Sequence, residues 1–227
     1  MKLLGAPLSP FVRKVAIIAQ EKGIEYDHDK RISPMSMPDD YTEIHPLRRI
    51  PALLPDPDNP AFAINDSSAI CGYLEKLVPS PAFYPDDPVS YGRALWLEEL
   101  ADTGLGEQVG MGVFRPVMFN ISAGKPADYE KADAGFERLA RGLLAYLEKQ
   151  LDGQEWFVGD AFSIADLAIA SQLINLAHVG YDIPADAMPQ LAAWKKRACA
   201  RASLAATLEE DNAFFAKNGL TFPATTA

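Results

Sequence analysis

Short apolar runs broken by turn residues fill the first third of the chain, and helical periodicity fills the remainder. Residues 2–4 (Lys-Leu-Leu) predict a brief strand ended by Gly5 and Pro7. Ser9-Pro10 then opens a helix with apolar positions at Phe11, Val12, Val15, Ile18 and Ala19, stopped at Gly23. Residues 24–32 alternate loosely as a second strand, and the polar, proline-rich stretch 33–40 leads into a short helical turn. The runs at 52–54 and 62–64 flank Asp56-Pro57-Asp58-Asn59-Pro60, a turn-forming cluster that predicts an antiparallel hairpin, and Ser67–Leu77 reads as a helix. The order over residues 1–77 is β-α-β-α-β-β-α, an α/β unit too small to stand uncovered. Residues 78–88 hold four prolines and read as a linker. The all-helical region 89–227 follows, with helices expected at 90–119, 127–151, 163–179, 188–200 and 203–217.

Composition narrows the classes without choosing among them. Of 227 residues, 48% are hydrophobic and 23% charged, which excludes fibrous and low-complexity proteins. The net charge of −10 repels phosphate backbones and anionic lipid, so neither nucleic acid nor a membrane is an expected partner. That charge is unevenly placed, −2 over residues 1–77 and −8 over the rest, so the first unit can still take a small anion. Two cysteines, Cys71 and Cys199, make no redox pair or disulfide scaffold, and no run suits a secretion signal or a spanning helix. A cytoplasmic location is expected. The three histidines have no metal-ligand spacing, and no metal is expected.

Three stretches carry candidate chemistry or its structural counterpart. Ser9 starts a helix after a strand, where free N–H groups and the helix dipole favour a negative charge such as a thiolate; equally, Ser9 with Pro10 at the first helical position is an ordinary N-cap. Met111, Phe114, Arg115 and Met118 recur at helical spacing, forming either a substrate-facing stripe or plain helix packing. Ser163-Ile164-Ala165-Asp166 before an apolar run is a capping box with a folding role.

Ser9-Pro10-Phe11, the segment His45-Pro46-Leu47-Arg48-Arg49-Ile50-Pro51 and the segment Asn65-Asp66-Ser67-Ser68-Ala69-Ile70 lie in one order and spacing that resembles the cytosolic glutathione S-transferases, bacterial serine-type members in particular. The family's second motif is Asn-Pro-x-x-x-Val/Ile-Pro and its third Glu/Asp-Ser-x-Ala-Ile, so the chain departs by carrying His45 for asparagine and Asp66 for glutamate. The resemblance extends to Ser163–Asp166 and so spans nearly the whole chain.

It implies a thioredoxin-like N-terminal domain with an all-α C-terminal domain, a homodimer, and glutathione as co-substrate. By the same resemblance Ser9 holds the glutathione sulfur as thiolate and Phe11 lies beside it. A cis Pro51 turns the Ile50 backbone toward the cysteinyl segment, Arg49 meets the glycyl carboxylate, and Asp66 with Ser67 receives the γ-glutamyl end. His45 is assigned no catalytic role. Phe114 and Arg115 are the candidate contacts of a small hydrophobic electrophile in detoxifying conjugation. The alternatives are a non-catalytic glutathione-binding or interaction protein, and a glutathione-dependent isomerase or peroxidase. A serine where redox relatives carry cysteine disfavours thiol-disulfide exchange.

Overall fold

A computed structural model describes residues 1–220; residues 221–227, the end of the expected helical region, lie outside the described residues. The chain divides into two compact units, Met1–Phe83 and the remainder from Tyr84.

The first unit is built on a four-stranded mixed sheet in the order β2-β1-β3-β4. Strand β1 (Lys2–Leu4) runs parallel to β2 (Asp27–Asp29) and antiparallel to β3 (Ala52–Leu54), which pairs with β4 (Ile64–Asn65). Helix α1 (Pro10–Glu21) crosses between β1 and β2, its Val12, Val15, Ile17 and Ile18 buried, and Gly23 ends it at φ +66°. Helix α2 (Ser67–Leu77) buries Ile70, Cys71 and Leu74. On the sheet's other side Leu4, Tyr41, Ala52 and Leu54 form a second cluster, joined by Ile32, Met37, Ile44 and Ile50.

Three differences from the sequence reading are local. The second strand is confined to Asp27–Asp29, the second helix is a five-residue 3₁₀ turn, Asp39–Glu43, and the expected strand at 62–64 is displaced. Pro60 fixes its own φ and starts a 3₁₀ turn through Phe62, so pairing begins only at Ile64. Residues 78–83, in the expected linker, are held by side chains: Lys22 Nζ donates to the carbonyls of Val78 (2.7 Å) and Pro81 (2.6 Å) and pairs with Glu75 at 2.8 Å. The Phe83 N–H donates to the same Glu75 carboxylate at 3.1 Å.

In the second unit α3 (Pro88–Glu99) continues without a break into a π-helical stretch, Leu100–Phe114, and then α4 (Arg115–Ser122). Helices α5 (Tyr129–Leu139) and α6 (Ala145–Leu151) are likewise joined by a π segment, Ala140–Leu144. The widened turns coincide with Gly104, Gly106, Gly110 and Gly112, where no side chain resists them. Gly112 and Gly135 cross in close contact: a Cβ at Gly135 would stand 2.3 Å from the Gly112 carbonyl oxygen.

Helix α7 (Ile164–Ala177) is buried from Ile164 through Leu176 and forms the centre of the unit; α8 (Pro189–Cys199) and α9 (Ala202–Lys217) complete it. At its start Asp166 accepts from the Ser163 N–H (3.0 Å) and the Ser163 hydroxyl (3.1 Å), as a capping-box acid should. It also accepts from the Phe157 N–H (3.1 Å) and from Trp194 Nε1 (2.8 Å), so one carboxylate joins α7, the segment before it and α8. Burial pushes the Asp166 carboxyl above its ordinary range, against the pull of those four donors.

Candidate functional site

The sheet register brings three separate motifs to one end of the first unit. Leu4, the last residue of β1, pairs with Ala52, the first of β3, and Ala52 also pairs with Asn65, the last of β4. The turn to Ser9, the bond at Pro51 and the step to Asp66 therefore all lie at the same end of the sheet. Gly5 closes the gap between two of them: a Cβ there would fall 2.4 Å from Val12 and 3.3 Å from Ile50, so the β1–α1 turn lies directly against the Ile50 loop.

Ser9 occupies the N-cap position of α1 with extended backbone (φ −70°, ψ 125°), but its hydroxyl makes no cap hydrogen bond. Its main chain is used instead, the N–H donating to Ala6 O and the carbonyl accepting from Arg13 N. Pro10 lacks an N–H, so Phe11 and Val12 carry the first-turn N–H groups that have no acceptor within the helix itself. The capping reading of the Ser9 side chain is thus not realised, and a half-buried hydroxyl stands at a helix N-terminus.

The loop from His45 to Pro51 is held at several points. His45 O accepts from the Arg48 N–H at 2.8 Å, and the Tyr41 hydroxyl donates to Arg49 O at 3.0 Å. Arg48 adopts φ +49°, and its guanidinium donates to the carbonyls of Asp39 and Met37 at 3.0 and 3.2 Å. Arg48 is a structural clamp, which leaves the exposed Arg49 as the loop's available cation. The Ile50–Pro51 peptide is cis, and Pro51 is buried while Ile50 is half-buried. Burial pushes the Tyr41 phenol up to about 12, so it stays a neutral donor.

Asp66 caps α2, its Oδ1 accepting from the Ser68 N–H (2.9 Å) and the Ala69 N–H (3.4 Å). The cap is ordinary; the backbone beneath it is not. Asp66 sits at φ +82°, ψ 133°, whereas Asp87 and Asp128 cap α3 and α5 at φ −76° and −95°. Capping does not require this conformation, which costs an L residue on the order of 1–3 kcal/mol. Ser67 follows as a buried residue at the first helical position, and Lys14 Nζ donates to Ser68 Oγ at 3.2 Å.

The proposed electrophile contacts lie in the second unit. Phe114 is buried, in edge contact with Phe119 at 6.4 Å, and the exposed Arg115 guanidinium stands 5.1 Å from the same ring. Met111 is 52% exposed while Met118 is buried, so the four residues do not share one face. The π-helical turn ending at Phe114 breaks the 3.6-residue spacing on which that stripe was counted. Sequence reasoning passed over Tyr41, Asp39 and Met37 as partners of the His45–Pro51 loop; the aromatic in the middle of a polar turn was the available signal.

Two family models cover most of the chain, the glutathione S-transferase N-terminal domain over residues 3–82 and the C-terminal domain over residues 109–202. A glutathione S-transferase from Triticum aestivum is 31% identical over 173 residues, covering 75% of this chain and 76% of that protein. Glutathione S-transferase theta-3 of Mus musculus is 28% identical over 188 residues, 82% of this chain and 76% of its own length. Among solved structures the human glutathione S-transferase T1-1 in its apo form superposes with a TM-score of 0.79 at 24% identity, covering 99% of this chain and 93% of that one. A two-domain fold of the glutathione transferase kind, with three motifs converging at one end of the sheet, is the class these features define. The chain belongs to the glutathione S-transferase family.

Proposed function

We propose that the protein is a glutathione transferase that conjugates the glutathione thiolate to small hydrophobic electrophiles, with Ser9 as the residue that holds the sulfur. The observation that carries this reading is the Ser9 hydroxyl, placed at the α1 N-terminus yet not spent on the cap. A free thiol near pKa 8.5 is only a few per cent ionised at pH 7, and a hydroxyl donor beside a helix N-terminus favours the charged form. The thiol proton passes to solvent, the sulfur lone pair forms the S–C bond, and a leaving group departs with its electron pair or an activated double bond takes up the charge.

Binding follows from the same end of the sheet. The Ile50 backbone pairs with the cysteinyl segment, Arg49 meets the glycyl carboxylate, and Phe11 lies beside the ligand. Asp66 takes the γ-glutamyl ammonium through the oxygen not used in the cap, and Ser67 meets the γ-glutamyl carboxylate at the α2 N-terminus. The departure of Asp66 from the backbone of the other aspartate caps supports a ligand role at this turn. On the helical unit Phe114 and Arg115 are the proposed electrophile contacts. A homodimer is proposed as well, supported by Val89 (81% exposed) and Trp96 (54% exposed), which recur seven residues apart on α3. The setting proposed is cytoplasmic detoxification; no helix among the described residues is long and apolar enough to cross a membrane.

The test is retention on immobilised glutathione followed by turnover with a model aryl halide. Retention with turnover supports a transferase; retention without turnover on aryl halides, enones or peroxides leaves the non-catalytic binding protein. Turnover of a cis-double-bond substrate without consumption of glutathione points to the isomerase.

A further inference from the structure

The glutathione reading leaves one polar residue of the binding loop without a role. His45, 6% exposed, stands where the family's second motif carries asparagine. Its Nδ1 accepts a hydrogen bond from the Leu47 N–H at 3.2 Å. A backbone N–H can only donate, so Nδ1 must be unprotonated and the ring proton must lie on Nε2. The same residue's carbonyl accepts from the Arg48 N–H. Together the two bonds close the turn from which Arg48 reaches its carbonyl partners and the chain runs on through Arg49 and Ile50 to Pro51.

We infer that His45 is a positioning residue for glutathione: its unprotonated Nδ1 holds the turn that presents Arg49 and Ile50, and protonation of that nitrogen loosens the turn and weakens binding. The inference rests on the glutathione reading above. An imidazolium would set an Nδ1–H donor against the Leu47 N–H donor, so the bond at 3.2 Å and the charged ring exclude each other. The charged groups that face the ring are Arg49 from its own loop and Asp66 from the α2 cap; Tyr41, whose carbonyl accepts from the His45 N–H, is neutral in this range. Burial first, and then Arg49, hold the imidazole below its ordinary 6.5, with Asp66 opposing.

The sign follows directly. A base whose closed-loop pKa is depressed favours the closed loop fully above its ordinary value and loses that preference as pH falls through the depressed one. Glutathione's carboxyls titrate below this window, and its amine and thiol above it, so an inflection between pH 5 and 7 belongs to the protein.

The experiment is calorimetric binding of S-methylglutathione, whose sulfur does not titrate, from pH 5.0 to 7.5. Native protein should lose affinity on acidification below about pH 6.5, with a slope approaching but not exceeding tenfold per pH unit, the one-proton limit. His45→Asn places a non-titrating oxygen where Nδ1 stands, so it should bind at pH 7.5 about as tightly as native protein and show no such slope. His45→Ala should bind weakly at every pH. The Leu47 amide resonance, followed by NMR without ligand, should titrate below pH 6.5 in native protein and not in His45→Asn. A flat native profile, or an inflection that survives His45→Asn, overturns the inference. If no variant binds at any pH the glutathione reading fails, and the Leu47 titration still decides whether His45 controls the turn.

Discussion

Lys14 Nζ donates to Ser68 Oγ at 3.2 Å, joining the helix that leaves Ser9 to the helix that leaves Asp66. The lysine is 1% exposed, on a helix whose other buried positions are mostly apolar, and its bond reaches the first turn of α2. Lys14→Met keeps the aliphatic stem and removes the charged donor. Hydrogen bonds to charged groups contribute about 1.5–3 kcal/mol, and denaturant unfolding should show a loss in that range. Glutathione affinity should fall about tenfold because the α2 start loses its tether. Ser68→Ala should fall in the same direction, and the double variant should lose less than the sum of the two single losses. Additive losses would mean that the two residues act separately.

Ser9→Ala tests the proposed thiolate-holding hydroxyl without touching the fold. Since the hydroxyl takes no part in the cap, the usual capping loss of 0.5–2 kcal/mol should be absent and unfolding should be unchanged within error. Turnover on a model aryl halide should drop by about 10²–10³, the range for losing one oriented donor to a developing or resident anion. Binding of glutathione should change little, and the thiolate absorbance of the complex at pH 7 should disappear. Unaltered absorbance and turnover would assign thiolate stabilisation to another group.

Asp66→Gly separates strain from ligand binding. Glycine adopts φ +82° freely, and glycine replacing an aspartate N-cap costs only a few tenths of a kcal/mol. Stability should therefore stay level or rise. Glutathione affinity should nevertheless fall tenfold or more, because the carboxylate that would meet the γ-glutamyl ammonium is gone. Retained affinity would reduce Asp66 to a cap.

The limits of α1 and α2 were legible because Ser9-Pro10, Gly23 and Asp66-Ser67 are end signals that act on the backbone within a few residues. The strand at 62–64 misled because Phe62 and Ile64 read as apolar alternation, while Pro60 two residues earlier imposed a 3₁₀ turn. Helix positions 100–114 were legible as helix but their faces were not, since apolar spacing assumes 3.6 residues per turn and this stretch is wider. The cradle of the candidate site was least visible. Tyr41 to Arg49 O and His45 to Leu47 N–H are side-chain-to-backbone bonds, which leave no trace in hydrophobic periodicity.

Two glycine substitutions should act in opposite directions. Gly135→Ala would drive a methyl to 2.3 Å from the Gly112 carbonyl oxygen, a backbone atom that cannot step aside cheaply. Overpacking of that kind costs about 1–3 kcal/mol or more, and Tm should fall by several degrees. Gly92→Ala, inside α3 with open space around it, should raise stability by up to about 1 kcal/mol through helix propensity. A neutral Gly135→Ala would show that the α5 crossing can shift to accept a methyl.

Asp166 offers the sharpest stability prediction, and it exceeds what a capping box alone would give. Removal of an N-cap acid costs about 0.5–2 kcal/mol, but this carboxylate also takes the Phe157 N–H and Trp194 Nε1 in a site with no access to water. Asp166→Ala leaves those donors buried and unpaired, each at about 1–3 kcal/mol, so the total should exceed 3 kcal/mol and folding at 37 °C should be compromised. Asp166→Asn keeps the shape and an acceptor oxygen but brings an amide donor toward Ser163, and should lie between native protein and the alanine variant. Trp194→Phe, which removes one donor and leaves the acid three, should cost less than either. Urea midpoints rank the three variants, and the fraction that folds should bind glutathione with native affinity. A selective loss of binding with normal midpoints would show that Asp166 acts on the ligand and not on the core.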